Sequence, residues 1–289
     1  LRPCEIRAFN ELVKLNQASL ENLILVSMDC LGAFTNKDWA KLNASAPDDF
    51  NRSFYADRLG GKTAPDGGPD IAPACRACEY PVSDMADIQF CLLGSDISQA
   101  IPVTGQTRAG QDLITAMGVE TGDLPADRSD RVAQLISDRL AFRDDMFAKT
   151  RDAIAPLENL SAYFERCVNC YNCRVACPVC YCRECVFNTD VFDHDPFQYL
   201  QKAQRSGAMK LPGDTLFFHM TRMAHMGLAC VGCGQCSNAC PNDIPVMEAF
   251  RLVAASAQSG FDYTPGMDLD QAPPLSRFSE NEYANVVGI

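Results

Sequence analysis

Sixteen cysteines stand in a chain of 289 residues, at 4, 30, 75, 78, 91, 167, 170, 173, 177, 180, 182, 185, 230, 233, 236 and 240. Eleven of them fall between 167 and 240. Dense CxxC spacing in a chain of this length points to metal, whereas disulfide scaffolds are usually short secreted domains. Two segments repeat one pattern, CxxCxxCxxxCP. The first is Cys167, Cys170, Cys173, Cys177 and Pro178; the second is Cys230, Cys233, Cys236, Cys240 and Pro241. That run is the signature of bacterial ferredoxins, in which the fourth cysteine ligates the other cluster. Three thiolates spaced i, i+3, i+6 on a tight loop wrap one face of a cubane, and the fourth leaves on the chain that follows. The proline removes a backbone donor and fixes the exit direction. The spacing therefore assigns Cys167, Cys170, Cys173 and Cys240 to a 4Fe-4S cluster A. Cys230, Cys233, Cys236 and Cys177 go to a 4Fe-4S cluster B. Zinc takes four ligands in one set and fits this doubled, proline-terminated pattern poorly.

Cys180, Cys182 and Cys185 follow closely on the first motif. They read either as ligands of a further centre or as free thiols packed beside cluster A. Cys4, Cys30, Cys75 and Cys78 are widely separated and include one CxxC; such a set can hold a third cluster, although spacing alone leaves this open. Cys91 ends an apolar run and reads as a buried core thiol. The three histidines, His194, His219 and His225, lie outside the cysteine motifs and read as surface or core residues.

The elements that must carry these residues are expected as follows. A helix follows Pro3. Residues 22–28 read as a short buried strand ending at Asp29-Cys30-Leu31-Gly32, where α/β sheets commonly place sites. A Gly- and Pro-rich stretch, 59–74, contains Gly60-Gly61 and Gly67-Gly68, which read as surface loop rather than a phosphate cradle. A second strand covers 86–90. A long helix over 128–154 carries an apolar stripe of Val132, Leu135, Ile136, Leu140, Met146 and Phe147, with a solvated face opposite. Between the motifs, Asp195-Pro196 opens a helix through Gln204 that Gly207 ends. Asp214 caps a second helix over 215–227, with Leu216, Phe217, Met220 and Met223 on its buried face. A helix over 245–257 follows Cys240.

The fold expected is α+β: an N-terminal α/β module followed by a dicluster ferredoxin domain that resembles the all-helical domain of heterodisulfide reductase and succinate dehydrogenase iron–sulfur subunits. The boundaries are 1–125 for the module, 126–155 for a linking helix, 156–258 for the ferredoxin domain and 259–289 for an extended tail against a partner or the protein's own surface.

Composition excludes other classes. A hydrophobic fraction of 47% allows a buried core. The formal charge of −12, with no basic run, disfavours nucleic acid. No apolar stretch approaches the ~18 residues of a membrane helix, and a cytoplasmic location is expected.

Longer runs carry a resemblance. Pro-Cys-Glu-Ile-Arg-Ala at 3–8, Asp-Cys-Leu-Gly at 29–32, Cys-Arg-Ala-Cys-Glu-Tyr at 75–80 and Met-Ala-Asp-Ile at 85–88 together resemble the beta subunits of coenzyme F-420-reducing hydrogenases and dehydrogenases. The stretch 177–185, Cys-Pro-Val-Cys-Tyr-Cys-Arg-Glu-Cys, and the segment 261–267 with Pro273-Pro274-Leu275 resemble formate dehydrogenase beta subunits within that group. The resemblance implies that Cys4, Cys30, Cys75 and Cys78 hold a third 4Fe-4S cluster near a flavin (FAD). It implies an electron-transfer subunit of an anaerobic oxidoreductase complex. Its partners would be coenzyme F-420 and a catalytic subunit of formate dehydrogenase or hydrogenase type. Members of the family have a glycine-containing stretch ahead of the Pro-Cys element that contributes to the flavin site; this chain begins at Leu1, almost on that element. The alternative is a flavin-free electron wire and docking subunit of a heterodisulfide reductase-type complex.

Overall fold

The computed structural model describes residues 1–45, 48–62, 68–120, 122–182, 184–190, 195–207 and 214–276. Gly67, His194 and the tail beyond 276 lie outside the described residues, as does the side chain of Asp214. The N-terminal half runs α1 (Pro3–Lys14), β1 (Val26–Met28), α2 (Asn36–Ser45), α3 (Phe50–Leu59), α4 (Pro73–Arg76), β2 (Ile88–Phe90), β3 (Val103–Gly105), α5 (Arg108–Ala116) and α6 (Arg128–Ile154). It continues with α7 (Leu157–Tyr163), α8 (Asn172–Val175), a 3-10 turn at Val186–Asn188, α9 (Pro196–Ser206), α10 (Asp214–Met226), α11 (Gln235–Asn238) and α12 (Val246–Gly260). Helices and one small sheet give an α+β chain. Among the described residues, the elements from Leu157 to Gly260 are all helices.

The sheet has the order β1-β2-β3. β1 pairs β2 in parallel, Ser27 opposite Gln89, and β2 pairs β3 antiparallel. The first strand is shorter than its apolar composition predicts. Asn22 adopts a left-handed backbone at φ 59°, and Leu25 donates its N–H to Asp87 Oδ2 at 2.7 Å. The extended ladder therefore begins only at Val26. The strand is also one-sided: Ser27 is buried while Val26 and Met28 are exposed.

Helix ends follow their local chemistry. α6 spans the whole predicted stretch. The Asp195 carboxylate accepts from the Phe197 N–H at 3.0 Å to open α9, and Gly207 closes it at φ 69°. The buried face of α10 differs from the expected one. Phe217 and Met220 are 54% and 44% exposed, and the buried residues are Thr215, Phe218, His219, Arg222, Met223 and Met226. The helix is rotated because its polar residues face the cysteine motifs.

Three packed groups set the frame. Ile6, Leu25 and Ala86 seat α1 on the sheet. Ala74, Ala77, Met146 and Met247 join α4, α6 and α12. Leu160, Phe164, Met223, Val246 and Phe250 join α7, α10 and α12. The segment after α12 folds back on α1. Arg7 Nε donates to the Pro265 carbonyl at 2.9 Å, the Gly266 N–H donates to Glu11 Oε1 at 2.6 Å, and the Tyr263 hydroxyl donates to the same carboxylate at 2.7 Å. A Cβ at Gly266 would stand 2.1 Å from the Arg7 carbonyl, so this docking requires glycine.

Candidate metal centres

Each CxxCxxCxxxC run folds as a loop with a single helical turn. In the first, α8 carries Cys173; in the second, α11 carries Cys236. The loops reverse through left-handed residues at matched positions, Asn169 and Tyr171 in the first and Gly232 and Gly234 in the second. Tyr171 is accommodated because its ring packs on Phe218, centroids 4.8 Å apart. Gly234 has no such room: a Cβ there would stand 2.3 Å from the Cβ of Ala74 on α4.

Cys167, Cys170, Cys173 and Cys240 line one cavity. Cys177, Cys230, Cys233 and Cys236 line a second. Cys4, Cys30, Cys75 and Cys78 line a third. These are the groupings that the spacing and the resemblance imply, including the exchange of Cys177 and Cys240 between the motifs. All the cysteines are free thiols. Among the described residues, no three His, Cys, Asp or Glu side chains come close enough to hold a single metal ion. Four thiols grouped around a shared void are the donor set that a 4Fe-4S cluster takes.

The third quartet is assembled from distant sequence by the sheet and two short helices. Cys4 stands in the first turn of α1, Cys75 in α4 and Cys78 just after it. Cys30 leaves β1, its N–H donating to the Pro81 carbonyl at 2.7 Å. The residue before it, Asp29, is a buried hub. Its carboxylate accepts from the N–H groups of Leu92 and Leu93 at 2.8 and 2.9 Å, and from Arg128 Nη1 and Nη2 at 2.5 and 2.9 Å. That pair ties the start of α6 to the sheet. Further along α6, Arg139 Nη2 donates to the Cys30 carbonyl at 3.0 Å.

Burial dominates the electrostatics at most of these cysteines. It pushes Cys30 and Cys173 up to about 11 and Cys233 up to about 12, and it raises Cys4, Cys75, Cys167, Cys177, Cys230 and Cys236. Neighbouring thiols add to the effect, and Arg222 opposes it at Cys173. Metal ligation deprotonates a thiol outright, so filling these sites releases protons.

Spacing missed the cations and the histidine around the quartets. His219, expected as a surface or core residue, is core, and its Nε2 lies 3.3 Å from Cys167 Sγ with its ring stacked on Phe164. Arg222 Nη1 donates to Cys173 Sγ at 3.1 Å. Arg251 pairs with Glu79 beside Gly232. The one available signal was a His and an Arg at i, i+3 on a helix close to the motifs. His225 is exposed, and Cys91 is buried as expected. Cys180, Cys182 and Cys185 differ in their surroundings. Cys180 packs with Cys177, Cys185 packs against Phe187 and Phe218 with Cys173, and Cys182 is exposed.

The family described as the 4Fe-4S dicluster domain matches residues 163–244, which contain both motifs. Two curated relatives span nearly the whole chain. The F420-dependent formate dehydrogenase subunit beta of Methanocaldococcus jannaschii is 26% identical over 95% of this chain and 74% of its own length. The F420-dependent formate dehydrogenase 1 subunit beta of Methanococcus maripaludis is 27% identical over 95% and 73%. Over nearly its whole length the chain is similar to F420-dependent formate dehydrogenase beta subunits, and its residues 163–244 match the 4Fe-4S dicluster domain.

Proposed function

We propose that this chain is the iron–sulfur electron-transfer subunit of an anaerobic oxidoreductase complex, relaying electrons between a flavin or deazaflavin (F-420) site and a catalytic partner of formate dehydrogenase type. The observation that carries the reading is the grouping of twelve cysteines around three cavities, with Cys177 and Cys240 exchanged. When bound, the clusters supply one-electron steps and a flavin converts two-electron to one-electron transfer.

The residues present suggest an order. Cys233 of the second quartet also borders the third cavity, alongside Gly232. Arg222 bonds Cys173 of the first quartet and lines the second cavity. The second quartet therefore stands in the middle, and the relay runs third, second, first. Cys170 is the exposed cysteine among the twelve, which makes the first quartet the end that meets a partner. At the other end, a cleft of about 370 Å³ opens beside Cys75 and Cys233, lined by Phe34, Trp39, Phe50, Phe54, Tyr55 and Arg2. Its size lies in the range of small-molecule sites, ~300–1,000 Å³. Its aromatic walls suit a planar ring, which supports exchange with FAD or coenzyme F-420 there.

The test is anaerobic reduction of the purified complex by reduced F-420, with formate, NADH and NADPH as parallel donors, read by bleaching of cluster absorbance and by flavin extraction. Bleaching by reduced F-420 with extractable flavin is the expected result. Bleaching only through a partner's substrate, with no flavin, would instead favour the electron wire of a heterodisulfide reductase-type complex.

A further inference from the structure

Arg222 is 4% exposed. It makes a two-point contact with one cysteine: Nη1 donates to Cys173 Sγ and Nη2 to the Cys173 carbonyl, both at 3.1 Å. Its guanidinium lies 4.8 Å from the ring centroid of Phe250 and 5.5 Å from that of Phe218. The same side chain lines the second cavity. Its Nε is buried without a partner, and among the described residues no carboxylate is in ion-pair contact with it. A buried arginine is rarely left without a counter-charge, because removing it from water costs several kcal/mol. Arg251, close by, differs: Glu79 answers its charge. For Arg222 the available anions are thiolates of the two quartets. His219, one turn earlier on α10, touches the first quartet alone through Cys167 and lines only that cavity.

We infer that Arg222 is a positioning residue shared by both centres of the dicluster domain, orienting the Cys173 thiolate and raising the reduction potential of both clusters, while His219 acts on the first alone. The inference rests on the two-cluster reading above. Reduction adds one electron and no atom, so a cation that neither moves nor loses its proton stabilises the reduced form wherever it stands between two centres. Hydrogen bonds to cluster sulfurs and net charge are the established levers on such potentials.

The test is an anaerobic redox titration of the complex followed by electron paramagnetic resonance, with iron counted in every sample. C240S and C177S variants assign the signals to the first and second centre. R222M is expected to lower both potentials, each tenfold change in a one-electron equilibrium being ~59 mV. H219F is expected to lower the first only. R222K keeps the charge but loses the planar fork, so it lowers the first and leaves the second near the native value. Unchanged potentials in R222M at native iron content, or a shift at the first centre alone, overturn the inference. If R222M takes up no iron, R222K decides: a drop confined to the first centre supports the inference, and an equal drop at both or none at either overturns it. Native protein lacking two clusters' iron would defeat the underlying reading instead, and the iron count separates that outcome from the others.

Discussion

Gly234 and Tyr171 occupy the same place in their two motifs, yet only one of them must be glycine. Both have a left-handed backbone, at φ 77° and φ 58°. Only Gly234 is pressed against a neighbour, Ala74 of α4. Gly234→Ala is therefore expected to cost ~1–3 kcal/mol from backbone strain alone, and more from displaced α4. Because α4 carries Cys75, iron should be lost from the second and third centres while the first is kept; iron counting with a thermal melt reads both effects. Protons supply a second expectation at this scale. Burial favours the neutral thiol, with Cys30 and Cys173 up to about 11 and Cys233 up to about 12. Filling the sites releases those protons, so uptake strengthens as pH rises and weakens as it falls. Reconstitution of the stripped complex with iron and sulfide, followed by absorbance at pH 7 and pH 8.5, should be more complete at the higher value. The thiol groupings were legible in the sequence because a ligand set leaves a spacing. Arg222 and His219 were not, because a single cation or imidazole on a helix leaves none, and what they touch is decided by how the helix is turned.

Helices and strands were legible to different degrees, for local reasons. The ends of α9 were written in Asp195-Pro196 and Gly207, residues whose side chain or backbone does the capping itself. Strand β1 was overestimated because an apolar run cannot reveal that Asn22 turns left-handed or that Leu25 bonds a side chain. The stripe assigned to α10 failed where apolarity was taken as the sign of burial, since His219 and Arg222 are buried by what they bind. Element α6 shows how a distant helix sets a cysteine. Its first residue, Arg128, grips Asp29, and one side of the pair is wholly buried. Asp29→Asn leaves a part-buried cation without its counter-charge, a loss of ~3–5 kcal/mol. It also frees the residue preceding Cys30. The variant should unfold at lower denaturant, and its third-centre signal should disappear before the other two. Retention of all three signals at native stability would contradict the role assigned to this pair.

Across the whole molecule, no quartet is local. The first and second trade their last cysteine, so Cys240→Ser should empty the site built on Cys167, Cys170 and Cys173, and Cys177→Ser the one built on the second motif. Spectra in which each variant loses the cluster of its own motif would refute the exchange. No helix among the described residues is long and apolar enough to cross a membrane.

The clasp that residues 263–266 place on α1 bears on how the chain is made. Asn10 Nδ2 donates to the Gly266 carbonyl across 256 residues of sequence. A ribosome adding ~5–20 residues per second needs roughly 13–50 s to cover that interval. Throughout it, the helix bearing Cys4 has left the tunnel without the segment that will pin it down. Cys4 therefore sits on a helix whose clasp is synthesised 256 residues after it.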